Sequence, residues 1–292
     1  MHLITKSDVK IPKRNKDSHK GQNGYVLAVG GSEDFPGAIA LAGLAALRSG
    51  CDLVKIIAPQ KAAWAINSYS ADLVTMKLKT DYFKKIHSKI VESEIKKFDV
   101  LLVGNGIGLK EETKKFCRKI IRNVGTFKVI DADAIKSISM NDAENSIITP
   151  HRKELEIFLK NSKVNQNILE KINQEKNIET KSKLIKTSTQ KFLDKDNIIL
   201  LKGEIDIIIS KNKTFFVKGG NAGMTKGGTG DVLAGLCAGF LAQSKDLLQS
   251  AINASYFNKK IGDILLKKKH GFTYLASDMV EEIKRSKPSI KK

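Results

Sequence analysis

"GGNAGMTKGGTGDVLAGLCAGFLAQ", residues 219–243, decides how the chain is read. Six of its 22 glycines fall in the thirteen residues that end on Asp231. Val232, Leu233, Leu236, Cys237, Phe240 and Leu241 then recur at helical intervals, which predicts a helix with a buried face. The glycine run therefore opens onto a helix N-terminus. Glycine lets backbone N–H groups approach a ligand with no Cβ in the way. The helix start adds unpaired donors and a partial positive charge. Together they favour an anion, most often a phosphate. A carboxylate is repelled there, and a role for Asp231 as a base gives it a reason to stay.

Outward from this stretch, short apolar runs alternate with helical patterns. "YVLAVG" (25–30), "DLVKIIAP" (52–59), "ADLVTMKL" (71–78), "DVLLVG" (99–104) and "FKVIDAD" (127–133) read as strands. "NIILLKG" (197–203), "DIIIS" (206–210) and the following "KNKTFFV" do too, the last two as a hairpin turning at Lys211–Lys213. "PGAIALAGLAALRSG" (36–50) reads as a helix between Pro36 and Gly50, and 110–123 as another. A long lysine-rich helical stretch is expected over 152–193, and three helices close the chain. The alternation implies an α/β domain with a mostly parallel sheet covered on both faces. One domain over residues 1–292 is expected, with its core at about 20–285.

Ligands of such sheets bind at the carboxyl ends of the strands. Gly30-Gly31-Ser32, Gly104–Gly108, Asp131-Ala132-Asp133, Thr149-Pro150-His151 and Lys202-Gly203-Glu204 all fall there and outline the rim of one site.

Composition removes several classes. The 292 residues carry a formal charge of +20, but only six of the 51 basic residues are arginine. Arginine is the side chain suited to forked phosphate and base contacts. The lysines are dispersed and the aromatics form no stacking motif, so a solvated surface is read in place of a nucleic-acid interface. No run approaches a membrane span, and the N-terminus lacks a signal-peptide core. Cys51, Cys117 and Cys237 show no metal spacing, which fits a reduced, cytoplasmic setting. "GNGIG" is not the dinucleotide fingerprint, and Lys226 does not complete a P-loop.

In "TKGGTGD", Gly227, Gly228, Thr229 and Gly230 would cradle phosphate while Asp231 takes a proton from a hydroxyl, freeing the oxygen to attack phosphorus. A capped glycine turn is the plainer alternative. "TPHRKE" puts His151 and Glu154 at a helix start. They form either a cap, or a ligand contact with Glu154 holding a hydrated Mg²⁺ through water. Asp133 is either a turn residue or a neighbour of phosphate or metal. Lys202 is either a hairpin lysine or a phosphate contact.

Taken together, "GGSEDFPGAIALAGLAALRSGCDLV", "LLVGNGIGL", "VIDADAI", "ITPHRKEL", "LLKGEIDIII" and "NAGMTKGGTGDVLAGLCAGFLAQ" resemble the ADP-dependent NAD(P)H-hydrate dehydratases. The resemblance implies a ribokinase-like three-layer α/β/α sandwich. It implies repair of hydrated NADH and NADPH: ADP phosphorylates the hydroxyl of the S epimer and phosphate is eliminated, leaving AMP. It assigns Ala38, Gly106 and His151 to the hydrated nicotinamide nucleotide, with Gly108 as the alternate for Gly106. Lys202, Gly203, Glu204, Ile205, Asp206 and Gly230 fall to the adenine nucleotide, and Asp231 is the base. It further implies Mg²⁺, a homotetramer and a separate epimerase as functional partner, since the epimerase domain often fused in front is expected to be missing. The family usually carries Gly-Pro-Gly-x-Gly where this chain has Gly-Asn-Gly-Ile-Gly. A small-molecule kinase of the same fold, acting on a vitamin-precursor alcohol, shares "GTGD" and is the alternative.

Overall fold

The protein is described by a computed structural model covering residues 1–286. Nine strands form one sheet: β1 (Tyr25–Val29), β2 (Leu53–Pro59), β3 (Val74–Leu78), β4 (Val100–Val103), β5 (Phe127–Ile130), β6 (Ser146–Ile148), β7 (Ile198–Leu201), β8 (Asp206–Ile209) and β9 (Thr214–Val217). Their order is β3-β2-β1-β4-β5-β6-β7-β8-β9. Strands β1 to β7 pair in parallel, and β8 and β9 extend the sheet antiparallel.

The strands read as near-continuous apolar runs because both faces are covered. Val26, Ala28, Val54, Ile56, Val100 and Leu102 face one core. It is closed by α1 (Pro36–Ser49), α2 (Gln60–Tyr69), α10 (Thr229–Ser244), α11 (Leu247–Lys268) and α12 (Ala276–Ser286). Leu27, Val29, Leu101, Val103, Ile130 and Ile148 face the other. The helices between lie on that side: α3 (Ser88–Glu94), α4 (Glu111–Asn123), α5 (Ala132–Ile135), α6 (Arg152–Asn161), α7 (Gln166–Gln174), α8 (Ile178–Ser188) and α9 (Gln190–Leu193). The expected α/β/α layering is therefore present.

Two expectations need correction. The stretch 152–193 is four helices, not one. Lys163 turns left-handed after α6, and the side chains of Asn165 and Asn177 cap the starts of α7 and α8. Both strands expected at 52–59 and 71–78 are present, but helix α2 fills the stretch between them, where no element is expected. Its buried face is only Ala62, Ala63 and Ile66, so its apolar signal is faint. Of the single-domain span, residues 287–292 lie outside the described residues.

Helices α1 and α10 touch backbone to backbone. A Cβ on Gly235 would overlap the carbonyl oxygen of Ala42, and one on Gly239 would overlap the Ser49 hydroxyl. Both helices start at the carboxyl edge of the sheet. Strand order reverses between β1 and β4.

Candidate active site

A cavity of about 930 Å³ lies over the ends of β5, β7 and β8. Asp131, His151, Glu154, Lys202, Gly203, Glu204, Asp206 and the whole run Lys226–Asp231 line it. Most of the residues picked out in sequence thus meet in one place.

Helix α10 starts there with Gly228 as its N-cap at φ +92°. A glycine cap offers no side chain to the first helical N–H groups, which leaves donors for a ligand. A Cβ on Gly227 would meet nothing within 4 Å, and one on Gly230 would meet only the Lys202 ammonium, at 3.4 Å. The loop is held from behind. Thr229 Oγ1 donates to Met224 O at 2.7 Å, and Lys226 Nζ donates to the carbonyls of Phe272 and Tyr274. Lys226 is therefore engaged as a brace, in keeping with the absence of a P-loop.

Charge is concentrated under this cradle. Lys202 Nζ donates to Asp131 Oδ1 at 3.0 Å and lies 3.7 Å from Glu154 Oε2. Burial works against its proton, but Asp131, Glu154 and Asp231 outweigh burial and raise its pKa. Asp131 also accepts from Thr149 Oγ1 at 2.7 Å. Asp231 sits in the first turn of α10. Burial, then the nearby Asp131 charge, push its pKa up to about 7, against the pull of Asn105 and Lys202. A carboxyl so tuned exchanges protons near neutrality, as a general base must.

His151 caps α6. Its Nδ1 accepts from the backbone of Lys153 and Glu154, its own N–H donates to Glu154 Oε2 at 2.9 Å, and its Nε2 lies 3.4 Å from Glu154 Oε1. The capping reading is correct as geometry, and the ring is still half exposed to the cavity. Glu154 is almost wholly buried within this box. Among the described residues no group of three or more His, Cys, Asp or Glu is arranged to hold a metal. A cation would meet Glu154 through its own waters, as Mg²⁺ does when it arrives with a phosphate ligand.

The loop after β7 is fixed from the opposite side. Asp206 accepts from Gly203 N at 3.0 Å and Ser255 Oγ at 2.7 Å, and Lys259 Nζ donates to the carbonyls of Gly203 and Glu204. Burial raises the pKa of Asp206, with Lys259 pulling against it. Ile205 differs from its neighbours: it packs toward the core and does not line the cavity.

Ala38, Gly106 and Gly108 also stand outside the cavity lining. Ala38 and Gly106 are adjacent, since a Cβ on Gly106 would lie 3.0 Å from the Ala38 Cβ. Gly108 N–H donates to Asp133, which also pairs with Lys136. Asp133 is thus the turn residue, and Asp131 is the acid that faces the cavity. Asn105 links the two halves, donating to Asp131 and to Asp231. Spacing drew no attention to Asn105 as a contact, nor to Lys259. An amide set between glycines at a strand end was the available signal.

Residues 26–285 match the family model described as NAD(P)H-hydrate dehydratase. The chain is 38% identical, over 97% of its length, to the bifunctional NAD(P)H-hydrate repair enzyme Nnr of Methanocaldococcus jannaschii, and spans 52% of that relative. It is 31% identical to the ADP-dependent (S)-NAD(P)H-hydrate dehydratase of Cenarchaeum symbiosum, covering 96% of this chain and 94% of that one. The fold superposes on the ADP/ATP-dependent NAD(P)H-hydrate dehydratase of Bacillus subtilis co-crystallized with ATP/Mg²⁺, at TM-score 0.71, 24% identity and 94% of both chains. With a ribokinase-like sheet, a glycine cradle at a helix start and these matches along nearly its whole length, the chain belongs to the NAD(P)H-hydrate dehydratase family.

Proposed function

We propose that this chain repairs hydrated NADH and NADPH, using ADP to phosphorylate the hydroxyl of the S epimer and then eliminating phosphate. The observation that carries the reading is Asp231, a half-buried carboxyl with its pKa pushed up to about 7, beside an open glycine cradle and the Lys202 ammonium.

In this reading the ADP phosphates rest on the N–H groups of Gly227–Gly230, with Lys202 beneath them. Gly203, Glu204 and Asp206 form the wall toward the nucleoside. The hydrated nicotinamide lies beyond Asp231, toward Ala38 and Gly106, with His151 at the edge. Asp231 takes the hydroxyl proton, and the oxygen attacks the β-phosphorus. The bond to the AMP oxygen breaks, and AMP leaves with that electron pair. Charge spreading over the transferring group is met by the helix start and Lys202. The ring nitrogen's lone pair then expels phosphate, a far better leaving group than hydroxide. Loss of a proton from the neighbouring carbon restores the double bond. Glu154 would hold a Mg²⁺ ion through water, and that ion would supply charge to neutralise the phosphates.

His151 resembles the ADP-using branch of the family, whose ATP-using relatives carry asparagine there. The expected products are AMP and phosphate. A fixed phosphorus and a fixed proton acceptor serve one epimer, so an epimer mixture should react in two phases unless a separate epimerase is added. A homo-oligomeric assembly and a reduced, cytoplasmic setting belong to the same proposal. Among the described residues no helix is long and apolar enough to cross a membrane.

The test is recovery of absorbance at the dihydronicotinamide band from hydrated NADH, with and without ADP. ADP-dependent recovery with stoichiometric AMP supports the reading. Absence of recovery, or recovery indifferent to nucleotide, refutes it. Phosphorylation of a thiazole or hydroxymethylpyrimidine alcohol in place of the hydrate would support the kinase alternative.

A further inference from the structure

Asn105 lies in the turn after β4 and is fully buried. Its Nδ2 donates to Asp131 Oδ2 at 2.9 Å and to Asp231 Oδ1 at 2.7 Å. An amide has two N–H bonds, and here each reaches a different carboxylate. The amide cannot be turned the other way, because its oxygen would then face two carboxylate oxygens. The orientation leaves Asn105 Oδ1 buried without a partner. An orphaned buried acceptor is costly, and few are tolerated without a reason.

Asp231 explains the reason. The charged groups facing it are Asp131 beyond β5, Glu154 on α6 and Lys202 beyond β7. The ammonium of Lys202 rests on Asp131, not on Asp231. Among the described residues Asn105 therefore supplies the one side-chain hydrogen bond to Asp231, and it takes Oδ1 only. Oδ2 is left as the oxygen able to accept a proton. Together the two bonds tie the start of α10 to the end of β5 through Asn105, which is 126 positions from Asp231 in the chain.

We infer that Asn105 is a positioning residue for the reaction: it fixes Oδ1 of Asp231 so that Oδ2 meets the substrate hydroxyl, and it keeps that carboxylate apart from Asp131. The inference rests on the reading of Asp231 as the base. It concerns a residue that stands where the family usually carries proline.

The test compares Asn105→Ala, Asn105→Ser, Asn105→Asp and Asp231→Asn with the parent, each as the whole chain, by pH profiles of kcat/KM for hydrated NADH and by ADP binding calorimetry. Asn105→Ala should lower kcat about 10- to 100-fold near pH 7, the scale of a base displaced by about 1 Å. ADP affinity should stay within threefold of the parent. The acidic limb should move up by about one pH unit, the worth of a lost hydrogen bond to a charged group. Asn105→Asp should move it further, by adding a third carboxylate. Asn105→Ser keeps one donor and should fall between parent and alanine, and it carries the test if the alanine variant does not fold. A limb at the parent's position in Asn105→Ala or Asn105→Ser overturns the inference, whether or not kcat falls. An active Asp231→Asn overturns the reading beneath it. An inactive Asp231→Asn with unmoved limbs in the Asn105 variants overturns the Asn105 inference alone.

Discussion

Gly104 and Gly106, in the turn after β4, and Gly227 and Gly230, which line the cavity, meet their surroundings in opposite ways. At Gly104, φ is +122° and a Cβ would overlap the carbonyl oxygen of Asp131. At Gly106, φ is +64° and a Cβ would lie 2.5 Å from the carbonyl oxygen of Phe35. Protein atoms fill the space a side chain would need, so the fold itself demands glycine there. Around Gly227 a Cβ meets nothing, and around Gly230 only the flexible end of Lys202. There the fold makes no such demand, and the space belongs to whatever binds. Glycine content alone does not separate these reasons. The neighbour of the missing Cβ does.

The comparison can be broken or sharpened by substitution. The largest effect is expected at the acid that ends the open run. Asp231→Asn should fold and bind ADP nearly as the parent does, while turnover falls by roughly 10² to 10⁴, the usual worth of a general base. Steady-state kinetics beside a melting curve decide it, and turnover within threefold of the parent would end that assignment. Next comes Gly104→Ala, which combines a backbone clash with a left-handed φ. Its unfolding free energy in urea should drop by about 3 kcal/mol or more. Stability within 0.5 kcal/mol of the parent, as an order-of-magnitude criterion, would mean that the close approach is not real. Gly230→Ala should do the reverse. ADP affinity should fall about tenfold, because a methyl enters the cradle, while stability is unchanged or rises by about 0.5 kcal/mol. A destabilised Gly230→Ala with normal ADP binding would erase the distinction between the two runs.

A smaller effect follows from the proton on Asp231. Its folded pKa, about 7, lies above the ordinary 3.8, so the folded state holds the proton more tightly. That contribution to stability is complete below about pH 3.8 and is lost as pH rises through about 7. Asparagine cannot ionise. Asp231→Asn should therefore gain stability relative to the parent, more at pH 8 than at pH 5, in paired urea titrations. A gain that shrinks with rising pH would contradict the raised pKa.

Most of the sheet was legible because parallel strands buried on both faces announce themselves as short apolar runs. Helix α10 was legible for the same reason, with eleven consecutive buried positions, Val232–Ala242, behind a glycine turn. Helix α2 was not, since Trp64 and Tyr69 are exposed while only small residues and one isoleucine are buried. The breaks after 161 were written in Asn165 and Asn177, but a lysine-rich surface hid the change of phase. In the site, residues whose chemistry depends on local backbone were readable: the cradle, Asp231, His151, Lys202. Asn105, Lys259 and the choice of Asp131 over Asp133 depend on contacts between distant strands, which no spacing encodes.

The packing of α1 on α10 has a mechanical consequence. Gly235 and Gly239 let the two helices meet at their backbones, with no layer of side chains to slide or repack. Such a contact has one arrangement, and shear between the helices would drive main chain into main chain. Ala38 rides near the start of one helix and Asp231 near the start of the other. The two behave as a single rigid block. The loop after β7, held by Lys259, and the Phe272–Tyr274 segment, held by Lys226, lie outside that block. The distance between Asp231 and Ala38 is thereby fixed by the fold.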